Sequence, residues 1–266
     1  MKKINNKPWL KNYPDGVAST IKFDEYSSLV DMFEKTCVQF SSKKAFTNFG
    51  TSLTFNEIYN KSLNLAFFLQ DKFKLVKGDR VAIMMPNLLQ YPICTFGILK
   101  AGLIVENINP LYTERELENQ LCDSNSETII ILENFAHLVE KIKHKTKLKN
   151  IIITSVGELL GMKGILMNFI LRKITKKVPK YNIPNVYKFS EVINNYNKKE
   201  IKNITISLED VAFLQYTGGT SGTVKAAMLT HKNILSNVLQ VKEWLGSQLK
   251  YGEDIAICAL PLYHIF

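Results

Sequence analysis

The residues whose types and spacing could do chemistry are concentrated in one short loop, TGGTSGTVK, which runs from Thr217 to Lys225. Its glycines allow the backbone to approach a ligand closely and to adopt positive φ angles. Successive backbone N–H groups in such a turn bind anions, and the loop's hydroxyls add further donors. Lys225 adds a compact positive charge. The loop is predicted to bind phosphate, with a plain glycine- and serine-rich surface loop as the alternative.

The nearest known phosphate-binding pattern, the Walker A loop, does not fit these residues. That pattern needs a second glycine five positions after the first, followed directly by Lys and then Ser or Thr. Counted from Gly218, the second glycine position holds Thr223, and Lys225 is followed by Ala226. A Walker loop also opens directly into a helix. Because the segment after Lys225 is apolar and is predicted to be a strand, we expect a phosphate loop that joins two strands.

The elements on either side of the loop are predicted from their apolar patterns. Val211–Tyr216 is predicted to be a buried strand that leads into the loop. Downstream, Thr230 is predicted to be the N-cap of a helix, because a hydroxyl there can accept a free backbone N–H group. The residues predicted to form the buried stripe of that helix are Ile234, Val238, Val241 and Leu245.

Upstream of the loop, strand and helix patterns alternate along the chain. The segments RVAIMM, LIVENI, ETIIIL and NIIITS are short apolar runs, which is typical of strands buried on both faces. Amphipathic helix patterns precede and separate these runs, and two begin with capping boxes at Thr54–Glu57 and Thr113–Glu116. Repeated strand–helix–strand units predict an α/β fold of parallel sheets flanked by helices.

Size and composition set the broad class. The chain has 266 residues, 46% of them hydrophobic and 22% charged, which fits a soluble globular protein of one large domain or two. No apolar run approaches the roughly 18 residues of a membrane-spanning helix. The N-terminus lacks the apolar region of a secretory signal. We therefore predict a cytoplasmic protein.

The formal net charge of +10 is the most unusual global property. A charge of this size is compatible with binding to nucleic acid or to an anionic membrane. The lysines are spread along the chain and accompany abundant Asn and Ile, which indicates a compositional bias, so nucleic-acid binding is not predicted. The cysteines match no metal-binding or CxxC spacing and are predicted to be reduced core residues. They are Cys37, Cys94, Cys122 and Cys258.

The segment Gly164–Lys180 has an apolar first half and a basic second half. One interpretation is a helix in a membrane interface, with its apolar side in lipid and its lysines on anionic headgroups. The other is a surface helix packed on the sheet with a solvated basic end, which this stretch alone favours. Pro179 and Pro184 bound an extended connection. Residues 164–185 are therefore predicted to be a basic amphipathic insert and linker.

The loop and its surroundings, YTGGTSGTVKAAMLTH, resemble the signature of the adenylate-forming superfamily, which includes acyl-CoA synthetases, firefly luciferase and peptide-synthetase adenylation domains. With this motif, further segments from residue 8 to residue 266 resemble the bacterial long-chain fatty acid–CoA ligases. Those segments are WLKNYP, YSSLVDMFE, KGDRVAIMMPNLLQYPICTFGILKAG, NPLYTERELENQL, NFAHLVEKI and ALPLYHIF. The resemblance implies that residues 1–266 form a partial N-terminal AMP-binding (adenylation) domain, an incomplete large domain of that fold.

The resemblance implies a reaction and its substrates. Members of this family activate a long-chain fatty acid with ATP, release pyrophosphate, and pass the acyl group from acyl-AMP to coenzyme A. Mg²⁺ is implied as a bridge between phosphate oxygens. The residues implied to surround the ATP phosphates are Thr217, Gly218, Gly219, Thr220, Ser221, Gly222 and Thr223, with Thr220 also implied at the metal.

Two further side chains receive roles from the resemblance. Lys225 is implied to neutralise charge on the departing pyrophosphate, which makes it a catalytic candidate. His264, in the motif PLYH, matches a family histidine near the acyl group and the α-phosphate. The alternative for His264 is a core histidine at the end of a strand.

Two residues depart from the family pattern. Ala226 stands where the family has glycine, and an alanine costs about 1 kcal/mol or more wherever the backbone needs a positive φ. Glu106 stands in the segment LIVENI where the family has an apolar residue. A charge in a buried parallel strand costs several kcal/mol unless it is paired or protonated.

Family members continue well beyond the PLYH motif, and their adenine-binding, magnesium-binding and ribose-binding residues and their C-terminal lid domain are not found among residues 1–266. We therefore expect a sheet begun after Val211 to have few partners, and the chain alone to form no acyl-CoA. Three hypotheses stay open: a ligase represented by its N-terminal part; a truncated, inactive remnant with at most weak phosphate or nucleotide binding; and a peripheral protein of the inner face of the cytoplasmic membrane.

Overall fold

The computed structural model describes residues 7–195, 201–217 and 225–264. The strands are β1 Lys44–Asn48, β2 Thr51–Thr54, β3 Arg80–Met84, β4 Ile104–Asn107, β5 Thr128–Leu132, β6 Asn150–Thr154, β7 Val186–Lys188, β8 Val211–Thr217 and β9 Lys225–Thr230. The α-helices are α1 Leu29–Gln39, α2 Phe55–Asp71, α3 Gln90–Lys100, α4 Glu114–Ser124, α5 Ala136–Ile142, α6 Gly161–Phe169, α7 Phe189–Asn195 and α8 His231–Leu245. Short 3₁₀ helices cover Pro8–Asn12, Glu133–Phe135, Lys143–Lys145 and Gly246–Gln248, and a π-helical turn, Ile170–Ile174, continues α6.

One seven-stranded sheet organises the fold, with the strand order β7-β6-β5-β3-β4-β8-β9. Neighbouring strands are parallel except β8 and β9, which are antiparallel. The predicted α/β class is confirmed. The expectation of a sheet begun after Val211 with few partners is wrong, because Phe213 in β8 pairs with Val105 in β4. This pairing makes β8 an extension of the first sheet.

Helices cover both faces of this sheet, which explains why its strands read as apolar runs. In β3, Val81 and Ile83 belong to the core beneath α1, α2, α3, α7 and α8. Ala82 and Met84 point to the other face and join the core beneath α4 and α5. Because both faces are dry, every position in these strands favours an apolar side chain, and a polar residue there requires an explanation.

The predicted capping residues lie where the helices begin. Thr54, Thr113 and Thr230 each accept the backbone N–H of the third residue of the following helix. The stripe predicted for α8 is wrong, however, since Val238 and Val241 are exposed and the buried residues are His231, Leu235 and Leu239. Apolar residues occupy both sides of this helix, and packing against α1 selects the side that carries Leu235.

The prediction of core cysteines is correct for two of them. Cys37 and Cys94 are buried, whereas Cys122 and Cys258 are exposed. Cys122 lies on the outer side of α4, whose buried face is formed by Leu117 and its neighbours. The apolar neighbours of Cys122 in the sequence did not predict its exposure. The helix is amphipathic, and Cys122 lies on its polar side.

His231 joins α8 to α1 through a buried hydrogen bond. Its Nδ1 accepts the backbone N–H of Leu29 at 3.3 Å, and its own backbone N–H donates to the carbonyl of Asp210 at 3.0 Å. Burial lowers the pKa of this imidazole to about 4. A neutral ring is therefore part of the folded structure, because the protonated ring cannot accept the Leu29 bond at that nitrogen.

We expect this histidine to make the fold acid-sensitive in a defined window. Between pH 6.5 and about 4 the unfolded chain binds a proton that the folded chain does not. The free energy of unfolding should therefore fall with decreasing pH, by about 1.4 kcal/mol per pH unit from this group. In urea unfolding from pH 7 to pH 4.5, His231→Gln should lose this slope relative to wild type. The exposed control His144→Gln should keep it, and equal slopes in all three proteins would contradict the assignment.

Candidate active site

The β8–β9 hairpin brings two of the predicted phosphate-binding residues together. Thr217 is the last residue of β8, Lys225 is the first residue of β9, and the two are paired across the strands. Both are exposed. The residues between them that were predicted to contact phosphate, Gly218, Gly219, Thr220, Ser221, Gly222 and Thr223, lie outside the described residues. The prediction of a loop between two strands is confirmed, as is the rejection of a Walker loop.

Ala226 causes no strain where it lies. It belongs to β9 and is paired with Tyr216 of β8. Strand backbone has negative φ angles, which every L-residue adopts readily. The condition under which alanine would be costly at this position is therefore not met, and this departure from the family pattern leaves the hairpin intact.

The strand that enters the loop is tied to the helix layer by Tyr216. Its side chain is buried, and its hydroxyl donates a 2.6 Å hydrogen bond to Oδ2 of Asp123 near the end of α4. Burial, followed by this hydrogen bond, raises the pKa of the phenol. Tyr216 thus stays a protonated donor, and β8 is fixed immediately before the loop begins.

His264 lies beside the end of β8 in a bend that follows Pro261. Its side chain is exposed, so the alternative of a core histidine is wrong. Its backbone N–H donates to the carbonyl of Pro261 at 3.0 Å, and its ring contacts that of Tyr263 with centroids 4.7 Å apart. The carbonyl of Tyr263 accepts a hydrogen bond from Nε2 of Gln215 at 3.2 Å. Because Gln215 is two residues before Thr217, the residue before the predicted histidine is bound close to the end of the strand that leads into the predicted loop.

Sequence reasoning missed a row of buried polar side chains at this edge. The hydroxyl of Tyr91 donates to Oδ1 of Asn107 at 2.5 Å, and Nδ2 of Asn107 donates to Oε1 of Gln215 at 3.0 Å. All three side chains are buried. The signal was present in the sequence, because Asn107 and Gln215 are amides near the carboxyl ends of strand segments that are predominantly apolar.

Glu106 is fully buried, with 0% of its surface exposed. Its carboxyl group accepts hydrogen bonds from Nε2 of Gln120, at 2.9 Å, and from the hydroxyl of Ser126. Burial raises the pKa of this carboxyl, although both hydrogen bonds oppose the shift. Two hydrogen-bond donors thus partner the buried carboxyl group, which offsets part of the cost of burying it.

No protein cluster in the described ranges 7–195, 201–217 and 225–264 combines three or more His, Cys, Asp or Glu side chains that could hold a metal ion. Mg²⁺ does not require such a cluster, since it retains waters and uses few protein ligands beside substrate phosphates.

A second surface of interest is α6, which is held to the sheet by small and polar residues. A Cβ atom added at Gly164 would lie 1.7 Å from the carbonyl oxygen of Gly157, so only glycine permits this close approach. One turn later, Asn168 accepts the backbone N–H of Gly157 at 2.8 Å. Arg172, one further turn along, forms an ion pair of 2.8 Å with the buried Glu133. The side of the helix that faces the protein therefore combines these groups with the partly buried side chain of Met167, which packs against the core.

The apolar side chains of α6 and its π-helical continuation face outward. Ile165 is 73% exposed and Phe169 is 54% exposed, and Met162, Leu166 and Ile174 are exposed beside them. The lysines that surround this face are exposed as well: Lys163, Lys173, Lys176, Lys177 and Lys180. The favoured interpretation, a surface helix packed on the sheet with a solvated basic end, agrees with the exposed lysines. The contacts to the protein are made through Gly164, Asn168 and Arg172, and these apolar side chains face away from it. Within the described residues, no helix has the length and apolar character needed to cross a membrane.

Solved structures of other proteins share the fold described above. The structure superimposes on a long-chain-fatty-acid-CoA ligase from Archaeoglobus fulgidus with a TM-score of 0.71 at 23% identity, covering 95% of this chain and 45% of that one. The anthranilate CoA ligase AuaEII, solved with anthranoyl-AMP, gives a TM-score of 0.65 at 21% identity, covering 80% and 37%. The architecture is therefore that of the N-terminal part of the adenylate-forming enzymes. The model of the AMP-binding enzyme family matches residues 33–266, and the chain belongs to that family.

The sequence comparison identifies which members of this family the chain resembles. The chain is 48% identical over 261 residues to the long-chain-fatty-acid–CoA ligase of Escherichia coli O157:H7, covering 98% of this chain and 46% of that protein. It is 35% identical over 263 residues to the long-chain-fatty-acid–CoA ligase of Bacillus subtilis (strain 168), with coverage of 98% and 46%. The chain spans about half the length of the curated relatives it matches.

Proposed function

We propose that this chain is the N-terminal part of an ATP-dependent long-chain fatty acid–CoA ligase. The pairing of Thr217 with Lys225 at the two ends of the glycine-rich segment carries the proposal, because it sets a hydroxyl and an amine at the mouth of a loop suited to phosphate. The identity to bacterial long-chain-fatty-acid–CoA ligases supports the choice of substrate. A carboxylate is a poor electrophile, and transfer of AMP onto it supplies the leaving group that coenzyme A then displaces.

Each proposed residue has one task in that reaction. Backbone N–H groups and hydroxyls from Thr217 to Thr223 hold the ATP phosphates, and Lys225 stabilises negative charge on the departing pyrophosphate. The hydroxyl of Thr220 would help hold a Mg²⁺ ion, which would supply positive charge against the ATP phosphates. His264 lies near the acyl group and the α-phosphate. Fatty acid, ATP and coenzyme A are the proposed substrates.

Removal of the Lys225 amine should weaken nucleotide binding and slow activation. For Lys225→Ala we expect magnesium–ATP affinity to fall about tenfold to hundredfold, since hydrogen bonds to charged groups are worth about 1.5–3 kcal/mol. Fatty-acid-dependent exchange of pyrophosphate into ATP should fall by about a hundredfold or more. Calorimetry measures the first quantity and labelled pyrophosphate the second. The control, Lys147→Ala, removes an exposed amine from a different part of the surface.

The outcomes separate the two catalytic hypotheses. Fatty-acid-dependent exchange by the 266-residue chain, lost in Lys225→Ala and kept in Lys147→Ala, supports the ligase. ATP binding without exchange supports a non-catalytic role as a weak phosphate- or nucleotide-binding module. Equal ATP affinity in Lys225→Ala and wild type would overturn the assignment of the loop.

A second proposal concerns location: a cytoplasmic protein that associates peripherally with the inner face of the cytoplasmic membrane through α6. Residues 164–185 are then the basic amphipathic insert and linker. The outward apolar face suits the acyl region of a bilayer, and the lysines around it suit anionic headgroups. Charge complementarity selects an anionic lipid surface as the occupant, because a second copy of this chain would bring the same lysines face to face.

A further inference from the structure

The segment that carries His264 has little regular structure of its own. Between Asp254 and Leu260 the chain forms no helix or strand, and Ile255 and Ile257 are exposed. Backbone hydrogen bonds within an element cannot hold such a segment, so its position depends on contacts with other parts of the protein. Side-chain amides make two groups of these contacts.

Asn87 makes the first group of contacts. This residue follows β3, and its Nδ2 donates to the carbonyl oxygens of Leu260 at 2.9 Å and Cys258 at 3.2 Å. Its Oδ1 accepts the backbone N–H of Leu262 at 2.8 Å. One side chain thus satisfies three backbone groups of the segment, which fixes its direction as well as its distance from β3.

Gln215 makes the second contact, at the carbonyl of Tyr263. The direction of its amide is set by its neighbours. Asn107 donates to Oε1 of Gln215, so Nε2 is the end that remains to donate to Tyr263, and the hydroxyl of Tyr91 fixes Asn107 in turn. The bonds therefore run in one direction from Tyr91 to the Tyr263 carbonyl.

The two anchors lie on opposite sides of one strand. In the sheet order, β4 lies between β3 and β8, so a segment bound by Asn87 beyond β3 and by Gln215 in β8 crosses the carboxyl end of β4. Ligands of open parallel sheets bind outside the carboxyl ends of the strands. Here the crossing segment ends with His264 next to the strand that enters the glycine-rich loop.

We propose that Asn87 and Gln215 are positioning residues that hold the Cys258–Tyr263 segment across the sheet edge and so set His264 in register with the phosphate loop. Asn107 and Tyr91 support Gln215 in this task. The proposal rests on the proposed function for the role of His264, but the clamp itself is a structural arrangement that can be tested without the reaction. None of the four side chains needs to touch substrate.

Hydrogen exchange by mass spectrometry tests the clamp directly. In Gln215→Met and in Asn87→Ala, amides of the peptide that covers residues 258–264 should exchange about tenfold faster or more, as expected when a bond that restrains them is lost. Peptides covering β5 serve as the internal reference and should change little. Asn237→Asp, at an exposed position of α8, is the control variant and should match wild type. Unchanged exchange in residues 258–264 in both variants would overturn the clamp.

Pyrophosphate exchange then tests what the clamp does. Because the loop and Lys225 are untouched, the Michaelis constant for ATP should stay within about twofold of wild type. The turnover rate should fall about tenfold or more, since small displacements of a reacting group are costly. A rise in the Michaelis constant with unchanged turnover would overturn the positioning role. If the wild-type chain shows no pyrophosphate exchange, the non-catalytic alternative holds for this chain, and the hydrogen-exchange result still decides the clamp.

Discussion

Replacement of both Ile165 and Phe169 by serine is expected to release the chain from anionic vesicles, with binding about a hundredfold weaker than wild type. Burial of an aliphatic or aromatic side chain contributes about 1.5–3 kcal/mol, and a side chain that enters the interface recovers a good part of this. Two such losses amount to about 3 kcal/mol, or roughly a hundredfold. Co-sedimentation with phosphatidylglycerol–phosphatidylcholine vesicles measures the effect.

Control variants distinguish insertion of the α6 side chains into the membrane from a general loss of exposed apolar surface. Val38 is 82% exposed and Val76 is 64% exposed, so Val38→Ser with Val76→Ser removes comparable apolar surface from other parts of the protein and should not change binding. Neither pair contributes to the core, and exposed substitutions usually change stability by less than about 0.5 kcal/mol. A folded serine variant of α6 that binds vesicles like wild type would contradict the proposal.

The charge component is tested with lysines from the basic end of the segment. Lys173→Gln, Lys176→Gln and Lys177→Gln together should weaken binding to anionic vesicles by up to about a hundredfold at low salt, at about 1 kcal/mol for each charge. Arg172 must be left in place, because its loss would strand the buried carboxylate of Glu133. Control glutamines at Lys147, Lys202 and Lys250 preserve the same net charge change elsewhere. Equal binding to anionic and neutral vesicles would exclude an anionic membrane as the partner of the α6 surface. Self-association in the absence of lipid that is abolished by the serine substitutions would also exclude it.

Glu106→Ala is expected to destabilise the fold by about 3 kcal/mol or more. The substitution opens a cavity at a fully buried position and leaves Nε2 of Gln120 and the hydroxyl of Ser126 without their acceptor. Unsatisfied buried donors cost about 1–3 kcal/mol each, and the cavity adds to this. Urea unfolding at pH 7 measures the difference. Glu140→Ala, at an exposed position of α5, is the control and should stay within about 0.5 kcal/mol of wild type.

Glu106→Gln should behave differently, and its effect should depend on pH. The amide keeps the shape and an acceptor, so the variant should fold. Because burial raises the pKa of Glu106 above 4.5, the folded chain holds a proton that the unfolded chain has lost. Wild type should therefore lose stability as pH rises through this window, by about 1.4 kcal/mol per unit, and Glu106→Gln should lack that loss.

The titrations of Glu106 and His231 oppose each other in wild type, since His231 adds stability as pH rises from about 4 to 6.5. A wild-type free energy of unfolding that does not change with pH therefore does not show whether either group titrates. The single variants at Glu106 and His231 test each group separately. Relative to wild type, Glu106→Gln should become progressively more stable with rising pH. A difference that shrinks with rising pH would show that the carboxyl of Glu106 is preferentially ionised in the folded chain.

Local spacing was sufficient to predict most of the elements. The apolar runs around Val81, Ile130 and Ile152 became parallel strands, and the hydroxyls of Thr54 and Thr113 began the predicted helices. Features of this kind depend on residues close together in the chain, so a short window contains the information. The rejection of a Walker loop belongs to the same class, because it followed from the spacing of Gly218 and Lys225.

The spacing of apolar residues did not predict which side of a helix is buried against the protein. Both α6 and α8 carry apolar residues on more than one side, and periodicity does not say which side is covered. In α6, close approach at Gly164 and the ion pair of Arg172 turn the apolar side outward. In α8, contact with α1 buries Leu235 rather than Val238. The outcome depends on neighbouring elements, which tertiary packing supplies.

The sequence by itself determined the α/β class, the hairpin around the glycine-rich segment, and the residues that pair at the two ends of that segment. Only the tertiary structure decided what holds His264 beside the loop. Asn87, Asn107 and Gln215 come from three different strand ends, and they meet because β3, β4 and β8 are neighbours in the sheet. Hydrogen bonds between residues more than a hundred positions apart depend on how the strands are ordered in space, and no local pattern encodes that order.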